Sequence, residues 1–446
     1  MTNKTPADLI VSARWILPVR PTGRLYEHCA LVIRDGNIIE IVPTSGIDSQ
    51  FDYQEHIDLP NQLLMPGLIN MHGHAAMSLF RGLADDLPLM EWLQDHIWPA
   101  EGEWVDEQFV RDGTQLAMAE MLLSGTTCFS DMYFYPEAAA GAAFEAGMRA
   151  QINFPILDFP TQWGSGPEDY IHKGLKLHDN YRSVDLINIG FGPHAPYTVS
   201  DEPLKRIAVL AEELQAPIQI HMHETAQEVS DSIANFGVRP LQRIADLGLL
   251  GPATQLVHMT QIDEQDIALL TTYSAHVVHC PESNLKLASG FCPVHTLQEH
   301  GINTCLGTDG AASNNDLSLF DEIHTASLLG KGVAQRADAL KSDTAIEMAT
   351  INAATAMGLD NIIGSLEKGK RADFIAIDFS NLQQAPIYNL KSHLVNTHVS
   401  HLVTHVWVDG KCLVAERELQ TLDTKDIYSK ACAWQVKIQA QRASGK

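Results

Sequence analysis

The sequence predicts an α/β protein: a (β/α)8 TIM barrel accompanied by a small β-sandwich domain that both chain ends form together. Eight short apolar runs alternate with longer segments of helical periodicity through the middle of the chain. Short alternating segments typical of antiparallel sheet occur at both ends. The length of 446 residues is sufficient for one barrel and one smaller companion domain.

Eight apolar runs are the candidate barrel strands, and residues 65–368 form the predicted barrel domain. In chain order the runs are LLMPGLIN, TTCFSDM, AQINFPIL, INIGFGPHA, IQIHMHE, TQLVHMT, AHVVHCPE and NTCLGTDG. Segments between them, such as DEPLKRIAVLAEELQA, carry apolar residues at helical spacing, which is typical of the outer helices of a barrel. Eight strand–helix units favour a closed barrel over an open sheet.

Both ends of the chain predict antiparallel strands. Near the N-terminus, Asp35 and Gly36 separate two strand-like runs, and Asp409 and Gly410 mark a second hairpin turn near the C-terminus. We therefore expect residues 1–64 and 369–446 to pair into one composite β-sandwich domain.

Composition and charge exclude several classes of partner. A formal net charge of -25 argues against nucleic acid, since binding to a polyanion relies on clustered Lys and Arg. No run is long enough to span a bilayer, and the N-terminus lacks the features of a signal peptide. Seven cysteines without any Cys-x-x-Cys spacing suit reduced thiols. We expect a cytoplasmic protein with neither a membrane nor a nucleic acid as partner.

Ionisable residues follow most of the candidate strands. They are His72 and His74 after the first run, His194 after the fourth, His221, His223 and Glu224 after the fifth, His258 after the sixth, His279 after the seventh and Asp309 after the eighth. In a TIM barrel the C-terminal ends of the strands surround one mouth, where such enzymes place their active sites. The pattern therefore predicts one functional site at that mouth.

Two His-x-His pairs predict a metal site. Side chains alternate along a strand, so His72 and His74 face the same side and can reach one ion. His221 and His223 form a second pair, which offers more imidazoles than a catalytic zinc needs. The pattern does not decide between these two, and a structural role is the preferred interpretation of His223.

The fourth strand argues for a single metal ion. Binuclear barrels of this kind often place a carboxylated lysine at the end of that strand, to bridge ions about 3.5–4 Å apart. Here the strand ends in His194, within GFGPHAPY, and no lysine is near it. A mononuclear site follows.

The assembled motifs resemble the amidohydrolase superfamily over nearly the whole chain, especially its 5'-methylthioadenosine/S-adenosylhomocysteine deaminase family. The matching motifs are MPGLINMHGHAAMSLFRGLADDLPLMEWL, GPHAPYT, HMHET, VHMTQ, HCPESNLKLASG and GTDGAASNN. The closing stretch GSLEKGKRADFIAID is also similar to the return from barrel to β domain in that family.

The resemblance implies a role for each site residue. It assigns His72, His74, His221 and Asp309 to one divalent metal ion. Zinc is the default metal of such a His-rich site, and iron and manganese are alternatives for the same ligands. It places Glu224 against the purine ring, His258 beside the reacting water, Glu101 at the ribose and His194 in contact with the nucleoside. It also implies a homo-oligomer.

The reaction that the resemblance implies is hydrolytic deamination of an adenine nucleoside. Asp309 would accept a proton as the activated water attacks C6, and a protonated Glu224 would donate to ring N1. The catalytic residues are then Glu224, His258 and Asp309, and the substrate-binding residues are Glu101, His194, Glu224 and Asp309. The products are an inosine-type nucleoside and ammonia.

The region after the third strand favours 5'-methylthioadenosine as substrate, with adenosine and S-adenosylhomocysteine as further possibilities. Some relatives place arginines there for the amino-acid carboxylate of S-adenosylhomocysteine, whereas PILDFPTQWGSGPEDYIHKG contains none. Arg149 lies at the opposite, N-terminal end of the strand. Candidates for an apolar pocket around a methylthio group are Leu87, Leu89, Met90 and Trp92.

Alternative functions on the same scaffold are deamination of a free base (guanine or cytosine) and hydrolytic dechlorination of a triazine. A free base has no ribose, so the role of Glu101 separates these alternatives from nucleoside deamination. A non-catalytic scaffold is disfavoured, because every expected metal ligand is present. The chain also lacks the Pro-Cys-x-x-Cys signature of the other zinc deaminases, the Gly-x-Ser-x-Gly elbow and the P-loop.

Overall fold

A computed structural model describes residues 4–444 and contains two eight-stranded sheets. The strands of the described chain are β1 (Thr5–Ile16), β2 (Tyr26–Arg34), β3 (Asn37–Pro43), β4 (Phe51–Pro66), β5 (Leu68–Gly73), β6 (Thr126–Asp131), β7 (Arg149–Ile156), β8 (Ile187–Pro193), β9 (Ile218–Met222), β10 (Thr254–His258), β11 (His276–His279), β12 (Thr304–Leu306), β13 (Phe374–Asp378), β14 (Val403–Val408), β15 (Lys411–Ala415) and β16 (Glu418–Leu419).

Helices connect and cover these strands. They are α1 (Ile47–Gln50), α2 (Leu89–Glu91), α3 (Trp98–Trp104), α4 (Glu107–Leu123), α5 (Pro136–Ala146), α6 (Pro167–Tyr181), α7 (Asp201–Leu214), α8 (Ala226–Phe236), α9 (Pro240–Asp246), α10 (Glu264–Tyr273), α11 (Pro281–Lys286), α12 (Val294–Glu299), α13 (Ala311–Asn314), α14 (Leu319–Ala334), α15 (Ser342–Met348), α16 (Ile351–Ala356), α17 (Leu390–Asn396) and α18 (Thr424–Ser444). A π-helical segment, Trp92–Ile97, joins α2 to α3. Within residues 4–444, no helix combines the length and the apolar character needed to cross a bilayer.

Strands β5 to β12 form the predicted (β/α)8 barrel. Each strand pairs in parallel with the next along the chain. The first and last strands meet where the Asp309 amide donates to the His72 carbonyl at 3.0 Å. Asn70 strengthens this junction, since its side chain accepts from the Thr308 amide and donates to the Thr308 hydroxyl. The fold class predicted from the alternating runs is confirmed.

Glycines permit two close approaches, one at this junction and one between the start of β5 and β6. A Cβ on Gly307 would lie 2.7 Å from the His72 amide nitrogen, so only glycine lets the end of β12 approach β5 this closely. A Cβ on Gly67 would lie 2.1 Å from the Thr127 side chain. Gly67 also divides the first apolar run: the residues before it belong to β4, and the barrel strand begins at Leu68.

The other sheet combines both chain ends, as the sequence predicts. Its order is β16-β15-β14-β13-β4-β1-β2-β3, and β1 pairs in parallel with β4 while the remaining neighbours are antiparallel. Alternation along β13 gives the sheet two apolar faces. Phe374 and Ala376 pack in a core of the β domain, whereas Ile375 and Ile377 join the main core with the barrel. The domain limits of 1–64, 65–368 and 369–446 stay a prediction.

A buried ion-pair cluster fixes the barrel to the β domain. Arg149, the first residue of β7, donates to both carboxylate oxygens of Asp373, at 2.8 and 3.3 Å, and to Asp409 at 2.7 Å. Arg149 is 3% and Asp373 4% exposed. Arg371 donates to the same oxygen of Asp409 at 2.6 Å. The Arg149 guanidinium lies at the bottom of the barrel, far from the strand ends that form the mouth, as the position of Arg149 at the start of its strand predicts.

Replacement of Arg149 by methionine tests this anchor. The Arg149→Met variant leaves Asp373 buried without its cation, so we expect the free energy of unfolding to fall by about 3–5 kcal/mol. The matched control is Arg206→Met, because Arg206 forms an exposed pair with Glu168 on the helical surface and such pairs contribute about 0–1 kcal/mol. Urea unfolding followed by circular dichroism measures both variants, and equal shifts in the two would contradict the expectation.

Candidate active site

Four predicted ligand residues converge at the mouth of the barrel. His72 Nε2 lies 3.2 Å from His221 Nε2 and 3.5 Å from Asp309 Oδ1. His74 Nε2 lies 3.3 Å from the same carboxylate oxygen. These atoms come from β5, β9 and the end of β12, which are distant in sequence and adjacent only in the closed barrel.

The Nδ1 atoms of the three histidines all face oxygen acceptors. The acceptors are Gln219 Oε1 for His72 at 2.8 Å, the Met132 carbonyl for His74 at 2.6 Å and the His194 carbonyl for His221 at 2.6 Å. Such oxygens only accept, so each neutral ring carries its hydrogen on Nδ1 and keeps a lone pair on Nε2. The lone pair of His72 faces His221 Nε2 and the Asp309 carboxylate, and that of His74 faces the same carboxylate.

This donor set fits a divalent metal ion. Two nitrogen lone pairs 3.2 Å apart form no hydrogen bond and repel each other. Burial, together with the neighbouring imidazoles, lowers the pKa of His221, so this ring carries no charge at neutral pH that would relieve the repulsion. The same causes lower the pKa of His74. Three imidazole nitrogens and one carboxylate oxygen are ligands that zinc commonly takes, and hydrogen bonds from the outer nitrogens are the usual way to orient them.

A side chain rather than the backbone orients His72. The Gln219 amide group donates to the Met71 carbonyl at 2.8 Å, which fixes its nitrogen on that side and its oxygen towards His72. The same nitrogen lies 2.8 Å from Gln255 Oε1. Gln255 in turn donates to the Ala356 carbonyl at 2.8 Å. Two backbone carbonyls thus determine the orientation of this buried glutamine pair.

The Asp309 carboxylate is held on both oxygens. Oδ2 accepts from the hydroxyls of Ser283 at 2.6 Å and Ser313 at 3.0 Å. Oδ1, which faces the histidines, also accepts from the Gly310 amide at 2.8 Å. Asp309 has φ +60° and His258 has φ +77°. Positive φ is uncommon outside glycine and clusters at functional sites, which agrees with the placement of both residues at the mouth.

His258 and Glu224 lie together beside this cluster. His258 Nδ1 lies 2.8 Å from Asn284 Oδ1, and its Nε2 is 3.6 Å from Glu224 Oε2. Burial raises the pKa of Glu224 to about 8, and the negative charge of Asp309 acts in the same direction. Glu224 is therefore protonated at neutral pH. It does not cap helix α8, since Thr225 performs that role by accepting from the Glu228 amide.

The cluster opens into a cavity of about 200 Å³. Among the site residues predicted from sequence, those that line it are His74, Glu101, His194, His221, Glu224, His258 and Asp309. His72 lies beneath the cavity and is fully buried. Burial raises the pKa of the Glu101 carboxyl to about 7. The structure therefore brings all the predicted site residues to one place.

The apolar wall of the cavity differs in part from the predicted set. Leu89 and Trp92 line it, whereas Met90 lines a neighbouring cavity and Leu87 lines neither. The chain is helical from Leu89 onward, so Met90 faces a different side of the helix from Trp92, whereas Leu87 precedes the helix. Residues that the sequence did not single out complete the wall: Leu93, Trp98, Phe159 and Pro160.

His223 and His279 lie outside the cavity. His223 accepts from the Leu241 amide at 3.1 Å, its Nδ1 is 3.6 Å from Asp266, and burial lowers its pKa to about 3. These contacts belong to the packing of helices α9 and α10 against the barrel, which agrees with the structural role preferred for His223. His279 is buried at the end of β11, and burial lowers its pKa to about 3 as well.

Sequence reasoning missed the residues that hold the ligands in place. They are Gln219, Ser283, Asn284 and Ser313. Gln219 carries a usable signal, because it precedes His221 by two positions on a strand and therefore shares its face. The serines and Asn284 lie in short helices after strands, where no period indicates which side chains turn towards the mouth.

Comparison with known proteins identifies the family. The model of the amidohydrolase family matches residues 63–413, which is most of the chain. The chain belongs to the amidohydrolase family. The resemblance seen in the strand-end motifs is thereby confirmed.

Close relatives share the full length of the chain. A protein of Saccharophagus degradans is 99% identical over 446 residues, with 100% of each chain covered, and bears the name 5-methylthioadenosine/S-adenosylhomocysteine deaminase. A protein of Teredinibacter turnerae with the same name is 58% identical over 442 residues, covering 99% of this chain and 100% of its own. A crystal structure of an adenosine deaminase from Xanthomonas campestris, with bound zinc, is 44% identical and superposes with a TM-score of 0.97, covering 98% of this chain and 100% of that one.

Replacement of Gln219 by methionine tests the orientation of His72. The variant removes the acceptor for His72 Nδ1, so we expect zinc affinity to fall about 10- to 100-fold, the usual effect of losing such a partner. Titration of the metal-free protein against a chromogenic chelator measures the affinity.

The matched control is Gln151→Met, which removes a buried glutamine of the same barrel interior that contacts Gln255 but not His72. We expect this control to bind zinc as the wild-type protein does. Equal losses in the two variants would show that general disruption of the polar core, rather than the contact with His72, weakens the site.

Proposed function

We propose that this protein deaminates adenine nucleosides by hydrolysis, with 5'-methylthioadenosine as its preferred substrate. One observation carries the proposal: Glu224, a buried carboxylic acid that is protonated at neutral pH, lies beside the cluster of three histidines and one aspartate. The cavity that holds them is also lined by Glu101 and His194. A purine must receive a proton at N1 to become electrophilic at C6, and a carboxyl group with a raised pKa can donate it. The names of the close relatives support the same activity.

The proposed cofactor is one zinc ion per chain, held by His72, His74, His221 and Asp309. The zinc in the crystal structure of the similar adenosine deaminase supports this choice. When bound, the ion supplies Lewis-acid activation of a water molecule at neutral pH. The absence of lysine from the cavity-lining residues that the structure describes supports a single ion, because no side chain there can be carboxylated to bridge two.

The chain's own residues divide the proton transfers. Glu224 donates its proton to N1 of the purine, and Asp309 accepts one proton from the attacking water as the O–C6 bond forms. His258 Nε2, whose lone pair is free because Nδ1 donates to Asn284, orients that water. Asp309 then passes its proton to the amino group, and the C6–N bond breaks to release ammonia. Glu224 regains a proton from the new C6 hydroxyl as the carbonyl of the product forms.

Glu101 and His194 bind the nucleoside in this proposal. Both line the cavity, and the His194 ring centroid lies 4.9 Å from that of the ligand His221. Burial lowers the pKa of His194 to about 3, so its neutral ring hydrogen-bonds the purine without adding charge. The ionised form of Glu101, which predominates above its pKa of about 7, supplies carboxylate oxygens that accept from the hydroxyl groups of ribose.

The far end of the cavity favours a small apolar 5' substituent. Its wall consists of Leu89, Trp92, Leu93, Trp98 and Phe159. None of the described residues that line the cavity is Lys or Arg. The amino-acid carboxylate of S-adenosylhomocysteine would enter without a cationic partner, whereas a methylthio group would bury apolar surface.

Free-base deamination and triazine hydrolysis are the competing functions on this scaffold. Glu101 lies in the same cavity as Glu224 and has no part in binding a free base. Its presence there supports the nucleoside as substrate.

The proposal extends to two properties that the resemblance supports. We expect a homo-oligomer, which light scattering would measure, and a cytoplasmic location, which cell fractionation would establish. All seven cysteines are free, which is typical of proteins in the reducing cytoplasm.

Substitution of Glu224 tests the proton donor. In the wild-type protein we expect kcat to fall as the pH rises through about 8, because Glu224 loses its proton over that range. Glu224→Gln keeps the hydrogen bond but cannot transfer a proton, so kcat should fall about 10²- to 10⁴-fold and this alkaline limb should disappear. Zinc content measured in parallel serves as the control. An alkaline limb that persists in the variant would assign it to another group.

A substrate panel tests the specificity. Ammonia release should give a kcat/KM at least about tenfold higher for 5'-methylthioadenosine than for S-adenosylhomocysteine, since an unpaired buried carboxylate costs at least about 1.4 kcal/mol. Adenosine should be deaminated, and guanine and cytosine should not.

Glu101→Gln completes the panel. We expect this variant to raise KM for nucleosides because the ribose loses a charged acceptor. Unchanged nucleoside kinetics in Glu101→Gln, or preferred turnover of a free base by the wild-type protein, would refute the nucleoside assignment.

A further inference from the structure

Tyr133 is a cavity residue that the proposed mechanism does not use. It lies two positions beyond the end of β6, and its ring centroid is 6.2 Å from that of His74. The side chain is 3% exposed, yet it lines the cavity together with Glu101. It is therefore placed between the metal-binding histidines and the proposed ribose-binding carboxyl.

The hydroxyl of Tyr133 has no satisfactory partner within the protein. It faces the Glu101 carboxyl closely enough to influence the pKa of that group, but no atom meets both the distance and the angle of a hydrogen bond to it. A buried hydroxyl without a partner destabilises a protein, and such groups are rare in folded chains. Phenylalanine would fill the same space without this cost. Among the described side chains whose buried polar atoms lack a partner, Tyr133 and Trp92 are the two that line this cavity, where a ligand could supply the partner.

The chemistry of a ribose diol matches this pair of side chains. Each ribose hydroxyl is both a donor and an acceptor, whereas a carboxylate only accepts. Glu101 can therefore satisfy the hydroxyl hydrogens of the 2' and 3' positions but leaves their oxygen lone pairs without donors. The Tyr133 hydroxyl is a buried donor beside that carboxylate.

We propose that Tyr133 is a ribose-binding residue, which donates a hydrogen bond to an oxygen of the vicinal diol whose hydrogens Glu101 accepts. This inference rests on the proposed nucleoside substrate. Together the two side chains recognise the diol as a unit, and a nucleoside that lacks both hydroxyls leaves Tyr133 without a partner.

The inference is tested by removing the same hydrogen bond either from the protein, by mutation of Tyr133, or from the substrate, by removal of the diol. Tyr133→Phe keeps the ring and should raise KM for adenosine about 5- to 10-fold, the effect of one neutral hydrogen bond, with little change in kcat. With 2',3'-dideoxyadenosine, which has no diol, wild-type protein and variant should have the same KM. A merely structural role for Tyr133 would instead impair both substrates equally, and that result would overturn the inference.

Trp92→Phe is the matched control. The Trp92 indole nitrogen is another buried donor without a partner that lines the same cavity. We expect this variant to affect adenosine and its dideoxy analogue alike. The difference in KM between adenosine and its dideoxy analogue measures the contribution of the diol. If Trp92→Phe abolished this difference and Tyr133→Phe retained it, the role would belong to Trp92.

Calorimetric binding of inosine and 2',3'-dideoxyinosine separates this inference from the proposed function. If the wild-type protein binds inosine but releases no ammonia from adenosine, the proposed deamination is refuted. The inosine affinities of the wild-type protein and of Tyr133→Phe then still measure the contribution of Tyr133 to binding. Weaker binding of inosine alone by Tyr133→Phe supports the inference. Failure of the wild-type protein to bind any nucleoside overturns both.

Discussion

The contact between the first and last barrel strands is the constraint on which the site depends. His72 lies on β5 and Asp309 follows the end of β12 by three residues, and the hydrogen bond from the Asp309 amide to the His72 carbonyl places their side chains beside each other. Gly307 makes the approach possible, and Asn70 bridges it with two hydrogen bonds. A barrel that closed less tightly here would separate the carboxylate from the imidazoles, and no ion of ordinary coordination distance would join them.

Much of this arrangement could be predicted from sequence because a barrel translates strand order into spatial order. The strand ends carry histidines and an aspartate, and the fold alone brings those ends to one mouth. The choice between His221 and His223 could not be derived in this way. Both occupy the same face in an ideal strand, but β9 ends at Met222 and His223 has φ +51°, so the alternation stops and its ring turns towards Leu241. Local backbone geometry, which the residue pattern does not encode, makes the distinction.

The polar interior of the barrel follows from the need to orient the histidines of the metal site. A metal-binding histidine needs an acceptor on Nδ1, and for His72 the nearest one is inside the barrel. Gln219 supplies it, and burial of one glutamine then requires partners for its remaining amide hydrogens. Gln255 and Gln151 extend the network until backbone carbonyls satisfy it. The sequence shows these glutamines on strands, but their mutual bonds depend on which strands face each other across the barrel.

The polar groups of this interior differ from those of the cavity above it. The first serve the stability of the fold, and the second are available to a ligand. Below His72 each glutamine amide has its partners, as stability demands of a buried polar network. In the cavity the hydroxyl of Tyr133 and the indole nitrogen of Trp92 have none. Apolar side chains of the same shape would avoid the cost of burying these two donors. Their retention in the one cavity that also holds Glu101 and Glu224 is explained if a ligand completes their hydrogen bonds, and the loss in folding stability is then offset by the energy of binding.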